Sequence, residues 1–196
     1  DIIYHEHVFY YSLIALVNLF DKANLEIYDV EFVKTQGGSL RIYLCHRNTF
    51  KIKKSVDKLM AKEKQLGFDE FKTYGEIKDR AEEIKKDLLN LLKSIKKSKK
   101  KIAAYSAPAK GNILLNYTGI GSNYLDFVVD LAREKQALYT PGTHMLVHSP
   151  DKIFEENPDY LMVLCWNITD EIMNQLKKYK KNGGKFIIPI PKVKVV

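Results

Sequence analysis

The repeated strand, loop and helix order after Lys101 constrains the fold more than any other feature of this 196-residue sequence. Apolar segments typical of buried strands alternate there with segments of helical periodicity. Strands that alternate with helices indicate a parallel sheet with right-handed crossovers, because each helix returns the chain to the same end of the sheet. The predicted strands are 101–105, 125–129, 145–148, 160–165 and 185–190, and the predicted helices are 108–117 and 169–181.

The first 49 residues predict a helix followed by a β-hairpin. Residues 8–24 carry apolar side chains at helical spacing. Residues 25–33 and 39–47 are rich in β-branched and aromatic side chains that alternate with polar ones. Between them a Gly-Gly pair supplies the turn, because glycine adopts a positive φ at little cost.

Residues 50–99 predict two amphipathic helices that connect or pack between domains, with a coiled coil as the alternative. They also account for the net charge of +8, since 17 basic and 9 acidic residues lie between Lys51 and Lys101. A basic patch can indicate nucleic-acid binding. No aromatic side chain interleaves with the lysines of 93–101, however, as stacking on single strands would require. We therefore expect a solvated helix face and no nucleic-acid partner.

The remaining composition bears on compartment. Cys45 and Cys165 lie far apart without paired spacing, which excludes a disulfide scaffold and a zinc site built from cysteine alone. No run of about 18 apolar residues occurs, so no membrane partner is expected. No basic stretch precedes an apolar one, as in a signal peptide. We expect a cytoplasmic chain and, because it begins with Asp shortly before a strong motif, the rear part of a longer protein.

Residues 105–112 follow a predicted strand and open a helix, where doubly wound folds hold phosphate. Small side chains let the backbone approach a ligand, and N–H groups at the helix start attract anions. Lys110 adds a positive charge, and Asp130 closes the next strand, where dinucleotide folds often carry an acid for ribose hydroxyls. The glycine fingerprint of such folds is absent. A tight turn without a ligand is therefore the alternative.

Tyr4, His5, Glu6 and His7 place four proton-active side chains in a row. A His-x-His pair can ligate a metal, although no third ligand is evident nearby. The four side chains can also be structural, satisfied by hydrogen bonds at a helix start. The third interpretation is acid–base catalysis, because histidine titrates near neutral pH and a neighbouring Glu or Tyr can orient it.

Several separated motifs occur in one order along the chain, at 4–7, 35, 37–41, 107–112, 114–116, 139–144, 170–172 and 189–191. On these motifs the chain resembles the rear half of the S-adenosylmethionine-dependent sugar C-methyltransferases. Those enzymes methylate a carbon beside the keto group of a nucleotide-linked deoxysugar. Gln36 departs from the pattern, because the family more often has His there, and this puts the sugar or enolate contacts in doubt.

The resemblance implies a three-part plan of a zinc-binding front domain, a class I methyltransferase domain and a Rossmann-like rear domain. Residues 1–49 would then end a truncated methyltransferase domain, 50–99 would form a helical connector, and 100–196 would be a C-terminal α/β domain with a parallel sheet and flanking helices. The S-adenosylmethionine site and the zinc cysteines would lie upstream, with no metal ligands here. The fragment alone is expected to be inactive, and the expected partner is a nucleotide-diphosphate sugar.

The resemblance also implies roles for the tetrad. His7 would remove the proton beside the ketone, Tyr4 would assist it, and Glu6 or His5 would orient the pair or polarise the keto oxygen. Two alternatives from other classes are a non-catalytic nucleotide-sugar binding module and an NAD-type oxidoreductase, and the missing glycine fingerprint counts against the second. The predicted substrate-binding residues are Ser106, Ala107, Lys110, Gly111, Asn112 and Arg41, the last with a surface role as its alternative.

Overall fold

The computed structural model describes residues 7–35 and 38–196. Within this part of the chain, one compact unit consists of residues 8–80, and the other consists of residues 81–196 together with His7. The helices are α1 (Leu13–Asp21), α2 (Lys54–Gln65), α3 (Phe71–Lys97), α4 (Ala109–Thr118), α5 (Lys152–Glu156), α6 (Thr169–Gln175) and α7 (Lys177–Lys181). The strands are β1 (Leu25–Val33), β2 (Ser39–His46), β3 (Ile102–Tyr105), β4 (Phe127–Val129), β5 (Val147–His148), β6 (Tyr160–Val163), β7 (Lys185–Ile188) and β8 (Lys194–Val195). The predicted domain boundaries at 49 and 99 stay predictions.

The unit of residues 8–80 contains the predicted hairpin, which is confirmed: β1 and β2 pair antiparallel. Within the described residues these two strands form a sheet of their own. Helices α1 and α2 cover it around a small core of buried apolar residues. That core consists of Leu13, Ile27, Val30, Val56 and Leu59.

The start of α1 differs from the prediction, which placed it at residue 8. The helix begins at Leu13, where the Ser12 hydroxyl accepts the N–H of Ala15 as an N-cap. Glu63, which is 6% exposed, reaches from α2 and accepts the N–H groups of Leu13 and Ile14 with its two carboxylate oxygens, both at 2.9 Å. These are donors that a first helical turn leaves unpaired. Two side chains, one of them 50 residues away, thus fix where α1 begins.

The unit of residues 81–196 is built on a six-stranded sheet in the order β5-β4-β3-β6-β7-β8. The first five strands pair in parallel, and β8 pairs antiparallel with β7 at the edge. This confirms the predicted α/β class with a Rossmann-like parallel sheet. The chain runs outward from β3 in one direction and from β6 in the other, so a topological switch point lies between these two strands.

Both faces of this sheet are buried, which is why β3 reads as a continuous apolar segment. One face packs against α3 and α4 through Leu88, Leu92 and Leu115. The other packs against α5, α6 and α7. The prediction of a single helix over 169–181 was wrong in one respect. Buried Leu176 leaves helical geometry and divides this segment into α6 and α7.

The lysine-rich end of α3 is held by acidic residues that precede the strands. Two of these carboxylates also accept backbone N–H groups. Asp126 accepts the N–H of Ile102, and Asp159 accepts the N–H of Lys101, each at 2.8 Å. Part of the excess positive charge is thus paired with carboxylates near the amino ends of the strands. The ion pairs are Lys96–Asp126 at 3.1 Å, Lys100–Asp159 at 2.8 Å and Lys101–Glu156 at 2.9 Å.

Among the described helices, none is long and apolar enough to cross a bilayer.

Replacing Glu63 by Gln tests the cap on α1. The isosteric amide offers one oxygen and turns an N–H₂ donor towards the other backbone N–H, so one buried donor loses its acceptor. We expect the free energy of unfolding to fall by about 1–3 kcal/mol, measured by urea denaturation with far-UV circular dichroism. The control is Glu70→Gln, since Glu70 forms an exposed ion pair with Lys72 at 3.4 Å. Equal unfolding midpoints for the two variants would contradict the role of Glu63.

Candidate functional site

The predicted ligand-binding loop lies at the switch point of the sheet. β3 and β6 are neighbours that end together, with Tyr105 opposite Val163. The chain after β3 leads to α4 on one face, and the chain after β6 leads towards α6 on the other. Loops that diverge in this way leave a crevice at the carboxyl ends of the strands, where open α/β sheets bind their ligands.

Asp130, at the end of β4, holds the loop that follows β3. Its Oδ2 atom accepts the N–H of Ala107 at 2.7 Å and the hydroxyl of Ser106 at 3.1 Å. Oδ1 accepts the N–H of Ala132 at 2.8 Å, and the ammonium of Lys135 lies 3.2 Å from Oδ2. Asp130 is 5% exposed. Its hydrogen-bond partners are residues of its own chain, so Asp130 positions the loop. The sequence had suggested instead that this acid binds ribose hydroxyls.

Ser106 turns the chain out of β3 with a φ of +72°, a left-handed conformation that costs a non-glycine residue about 1 kcal/mol or more. Its N–H donates to the carbonyl of Val129 at 2.7 Å, while its hydroxyl donates to Asp130. Both bonds fix the loop before any ligand arrives. The N–H of Ala107 is likewise engaged, so a phosphate at this loop would have to use the N–H groups that follow it.

Gly111 allows α4 to approach the loop after β6. A Cβ atom at this position would lie 2.8 Å from Cβ of Leu164 and 3.0 Å from Cδ of Pro108. The third glycine of the dinucleotide fingerprint has the same role of close helix–strand packing. The complete fingerprint is absent from the sequence, but a glycine in the first turn of a helix after a strand was a usable signal for this role.

Lys110 places its ammonium group between the two loops of the crevice. Nζ lies 4.7 Å from the ring centroid of Trp166, within cation–π distance. Burial lowers the pKa of Lys110, and the neighbouring Cys165 opposes this effect. Burial also raises the pKa of the Cys165 thiol, against a hydrogen bond with Ser106. Sequence reasoning did not single out Trp166, because its approach to Lys110 depends on the pairing of β3 with β6.

Asn112 adds a polar group in the same part of α4. Its Oδ1 atom is buried and, within the described residues, accepts no hydrogen bond. An unsatisfied buried acceptor is uncommon in folded proteins and is often completed by a water molecule or a ligand. The structure therefore brings Ser106, Ala107, Lys110, Gly111 and Asn112 together on one loop and one helix start.

The other predicted site residues belong neither to this loop nor to α4. Tyr4, His5 and Glu6 fall outside the described residues. His7 is exposed and precedes α1 in a segment without regular structure. Arg41 lies on β2 and pairs with Glu31 at 3.3 Å in an exposed position. The roles given to these five residues stay predictions.

The histidines of the second unit do not form a metal centre. His148 stacks edge-on against Phe127, and its Nε2 lies 3.3 Å from Nζ of Lys152. Burial and that ammonium both lower the pKa of His148. Within residues 7–35 and 38–196 no group of three or more His, Cys, Asp or Glu side chains is arranged to hold a metal ion.

Comparisons with known proteins give two findings. Residues 34–191 match the family model described as the C-methyltransferase C-terminal domain. The chain is also 34% identical over 197 residues to the C-methyltransferase NovU of Streptomyces niveus. That alignment covers 100% of this chain and 47% of NovU, so the chain spans about half the length of this relative.

Replacing Asp130 by Asn tests the anchor of the loop. We expect the free energy of unfolding at pH 7 to fall by about 1–3 kcal/mol, because an amide accepts fewer hydrogen bonds and loses the ion pair with Lys135. Burial alone would raise the pKa of Asp130, but the N–H groups of Ala107 and Ala132 together with Lys135 outweigh it and lower the pKa.

A lowered pKa makes this stabilisation depend on pH in one direction. It is fully present above the ordinary pKa of an aspartate and is lost as the pH falls through the lowered value. Urea denaturation at several pH values should therefore show wild type and Asp130→Asn converging in acid. Asp87→Asn, an exposed change on α3, is the control. A stability gap between wild type and Asp130→Asn that does not narrow in acid would contradict the role of the charge.

Proposed function

This chain belongs to the C-methyltransferase family, and we propose that it is the rear part of an enzyme that methylates a carbon of a nucleotide-linked keto sugar. The observation that carries the proposal is the crevice between β3 and β6. There a loop anchored by Asp130, the ammonium of Lys110 and the start of α4 converge in a chain of this family. Helix starts and half-buried cations favour phosphate groups.

The hairpin of the first unit supports the proposed division of the parent enzyme into a methyltransferase domain and a rear domain. A strand that has a partner on one side only leaves backbone N–H and C=O groups unpaired along its other edge, where a further strand can pair. Within the described residues β1 and β2 pair only with each other. We infer that they form the end of a larger sheet, which the resemblance assigns to the methyltransferase domain.

The methyl donor implied by the family is S-adenosylmethionine, which supplies an electrophilic methyl group. The crevice of this chain does not fit it, because the carboxylate that would bind its ribose is engaged by Ser106 and Ala107. We assign the site of the donor to the upstream part of the parent enzyme.

The proton chemistry is assigned to the tetrad. A proton on the carbon beside a ketone is acidic because its removal leaves an enolate, with the negative charge shared by carbon and oxygen. In the proposal His7 accepts this proton, and the resulting enolate carbon is the nucleophile that is methylated. His7 is grouped with residues 81–196, the unit that contains the crevice, which supports a role for it in the same reaction.

The alternative function is a non-catalytic module that binds a nucleotide sugar. It is favoured by one observation: Ser106, Lys110, Asp130 and Trp166 all lie within residues 81–196. Binding at this crevice would therefore not require the chemistry of the tetrad. The enzyme loses its turnover when His7 is replaced, whereas a non-catalytic module has no turnover that depends on His7.

Replacing Lys110 by Met tests the phosphate site common to both functions. We expect the affinity for a nucleotide-diphosphate sugar to fall by about 1–3 kcal/mol, as for a charge-assisted contact, measured by titration calorimetry. Since the pKa of Lys110 is lowered, wild-type binding should decline at a lower alkaline pH than for a solvated lysine. Lys93→Met, an exposed charge-matched change on α3, is the control. Unchanged affinity in Lys110→Met would place the nucleotide elsewhere.

Replacing His7 by Ala tests the base, in the enzyme expressed from its complete coding sequence. We expect turnover to fall by about 10²- to 10⁴-fold with little change in substrate binding. Deuterium uptake from solvent at the substrate carbon, followed without methyl transfer, should be lost as well. His46→Ala, an exposed change on β2, is the control. Deuterium uptake at the wild-type rate in His7→Ala would show that His7 is not the base.

A further inference from the structure

Two segments at the amino ends of the strands of the second unit concentrate its positive charge. Residues 93–101 and 177–185 contain eleven lysines and no acidic residue. They comprise the end of α3, the whole of α7 and the loops that lead into β3 and β7. We call these two segments the lysine edge, and we propose that the lysine edge binds the surface of an anionic lipid bilayer. The proposal does not depend on the function proposed above.

The strand order brings the two segments of the lysine edge together. β6 lies between β3 and β7, and Tyr160 at its start is paired with Ile102 on one side and with Lys185 on the other. The two segments therefore enter the sheet two strand spacings apart, at about 10 Å. The N–H of Tyr160 also donates to the carbonyl of Lys101, and the N–H of Lys185 to the carbonyl of Asp159, each at 3.1 Å. Hydrogen bonds thus hold both ends of the lysine edge in place.

The lysine edge keeps a surplus of charge after its local pairing. The three carboxylates of the ion pairs described above are occupied by lysines of this edge. Lys97, Lys99 and Lys181 are exposed and, within the described residues, make no ion pair. Cations in the last turn of a helix stabilise it through the helix dipole, but this effect ends with that turn. It therefore does not explain the lysines at 99–101 and 185, which lie beyond the helix ends.

The chemistry of the lysine edge favours a bilayer over a nucleic acid. Its cations are all lysines, which act as point charges, whereas paired contacts with phosphates and base edges favour arginine. Stacking of bases needs an accessible aromatic face. Nζ of Lys178 lies 5.7 Å from the ring centroid of Phe154. Nζ of Lys185 lies 5.8 Å from that of Tyr160. A base would have to compete with these ammonium groups for both rings.

A bilayer needs charge and access from the protein, and no fixed arrangement of donors. Its surface is a plane of headgroups, and each lysine close to an anionic leaflet strengthens binding about fivefold. Such a surface contact requires no spanning segment. The crevice lies at the carboxyl ends of the strands, and the lysine edge lies at their amino ends. A bilayer bound at the lysine edge would therefore leave the crevice uncovered.

The test measures co-sedimentation of the 196-residue chain with lipid vesicles. One set of vesicles is made of phosphatidylcholine alone, and the other contains phosphatidylglycerol as well. We expect binding to the anionic vesicles only, and we expect added salt to weaken it because the attraction is screened. Combining Lys97→Gln, Lys99→Gln and Lys181→Gln removes three charges from the lysine edge. This variant should bind the anionic vesicles about a hundredfold more weakly than wild type.

The matched control removes three charges from other places in the same unit. Lys86, Arg133 and Lys192 are exposed, and the last two follow the carboxyl ends of β4 and β7. Replacing all three by Gln lowers the net charge by the same amount. We expect this control to bind anionic vesicles within about twofold of wild type, because charges farther than a Debye length from the leaflet are screened. Circular dichroism confirms the fold of both variants.

Several results would overturn the proposal. The first is a wild-type chain that does not sediment with the anionic vesicles, and the second is an equal loss in the two triple variants. The third is a chain that ignores the vesicles but binds a single-stranded RNA oligonucleotide through the same three lysines, which would make the lysine edge a nucleic-acid surface. If the triple variant of the lysine edge does not fold, the three single substitutions replace it, each with an expected loss of about fivefold. Unchanged binding in all three would also overturn the proposal.

Discussion

The buried carboxylate of Asp130 is the interaction on which the crevice depends. It directly follows β4, yet it accepts an N–H group and a hydroxyl from the loop after β3. A buried carboxylate is costly unless it is hydrogen-bonded or paired, and here both oxygens have partners. The left-handed conformation of Ser106 persists because these bonds hold it. The geometry of the loop is therefore determined by a residue about 24 positions away in sequence.

Elements that depend on local periodicity could be predicted from the sequence, and elements that depend on distant partners could not. The hairpin and the long helix α3 followed from alternation and helical spacing. The start of α1 did not, because the carboxylate that caps it comes from α2. Strand β8 and helix α5 have only 2 and 5 residues, too few for a period to show. The break at Leu176 lies within an unbroken helical pattern.

The candidate site divides in the same way. The loop and Lys110 were identified because a strand, a short loop and a helix follow one another in the sequence. The roles of Asp130 and Trp166 required the strand order, since β4 and β6 both flank β3. Gly111 gave a signal of its own, but its function appears only once Leu164 is known to lie against it. The tetrad of residues 4–7 was recognised by resemblance, and its geometry stays a prediction.

The cap on α1 has a consequence for synthesis on the ribosome. Leu13 is translated 50 residues before Glu63, and the carboxylate can reach the helix only after α2 has left the exit tunnel. Until then two donors of the first turn depend on water. The first turn of α1 thus acquires its final hydrogen bonds late, after the hairpin has been synthesised. In a nascent chain, the amino-terminal end of α1 is ordered by a helix that the ribosome synthesises after it.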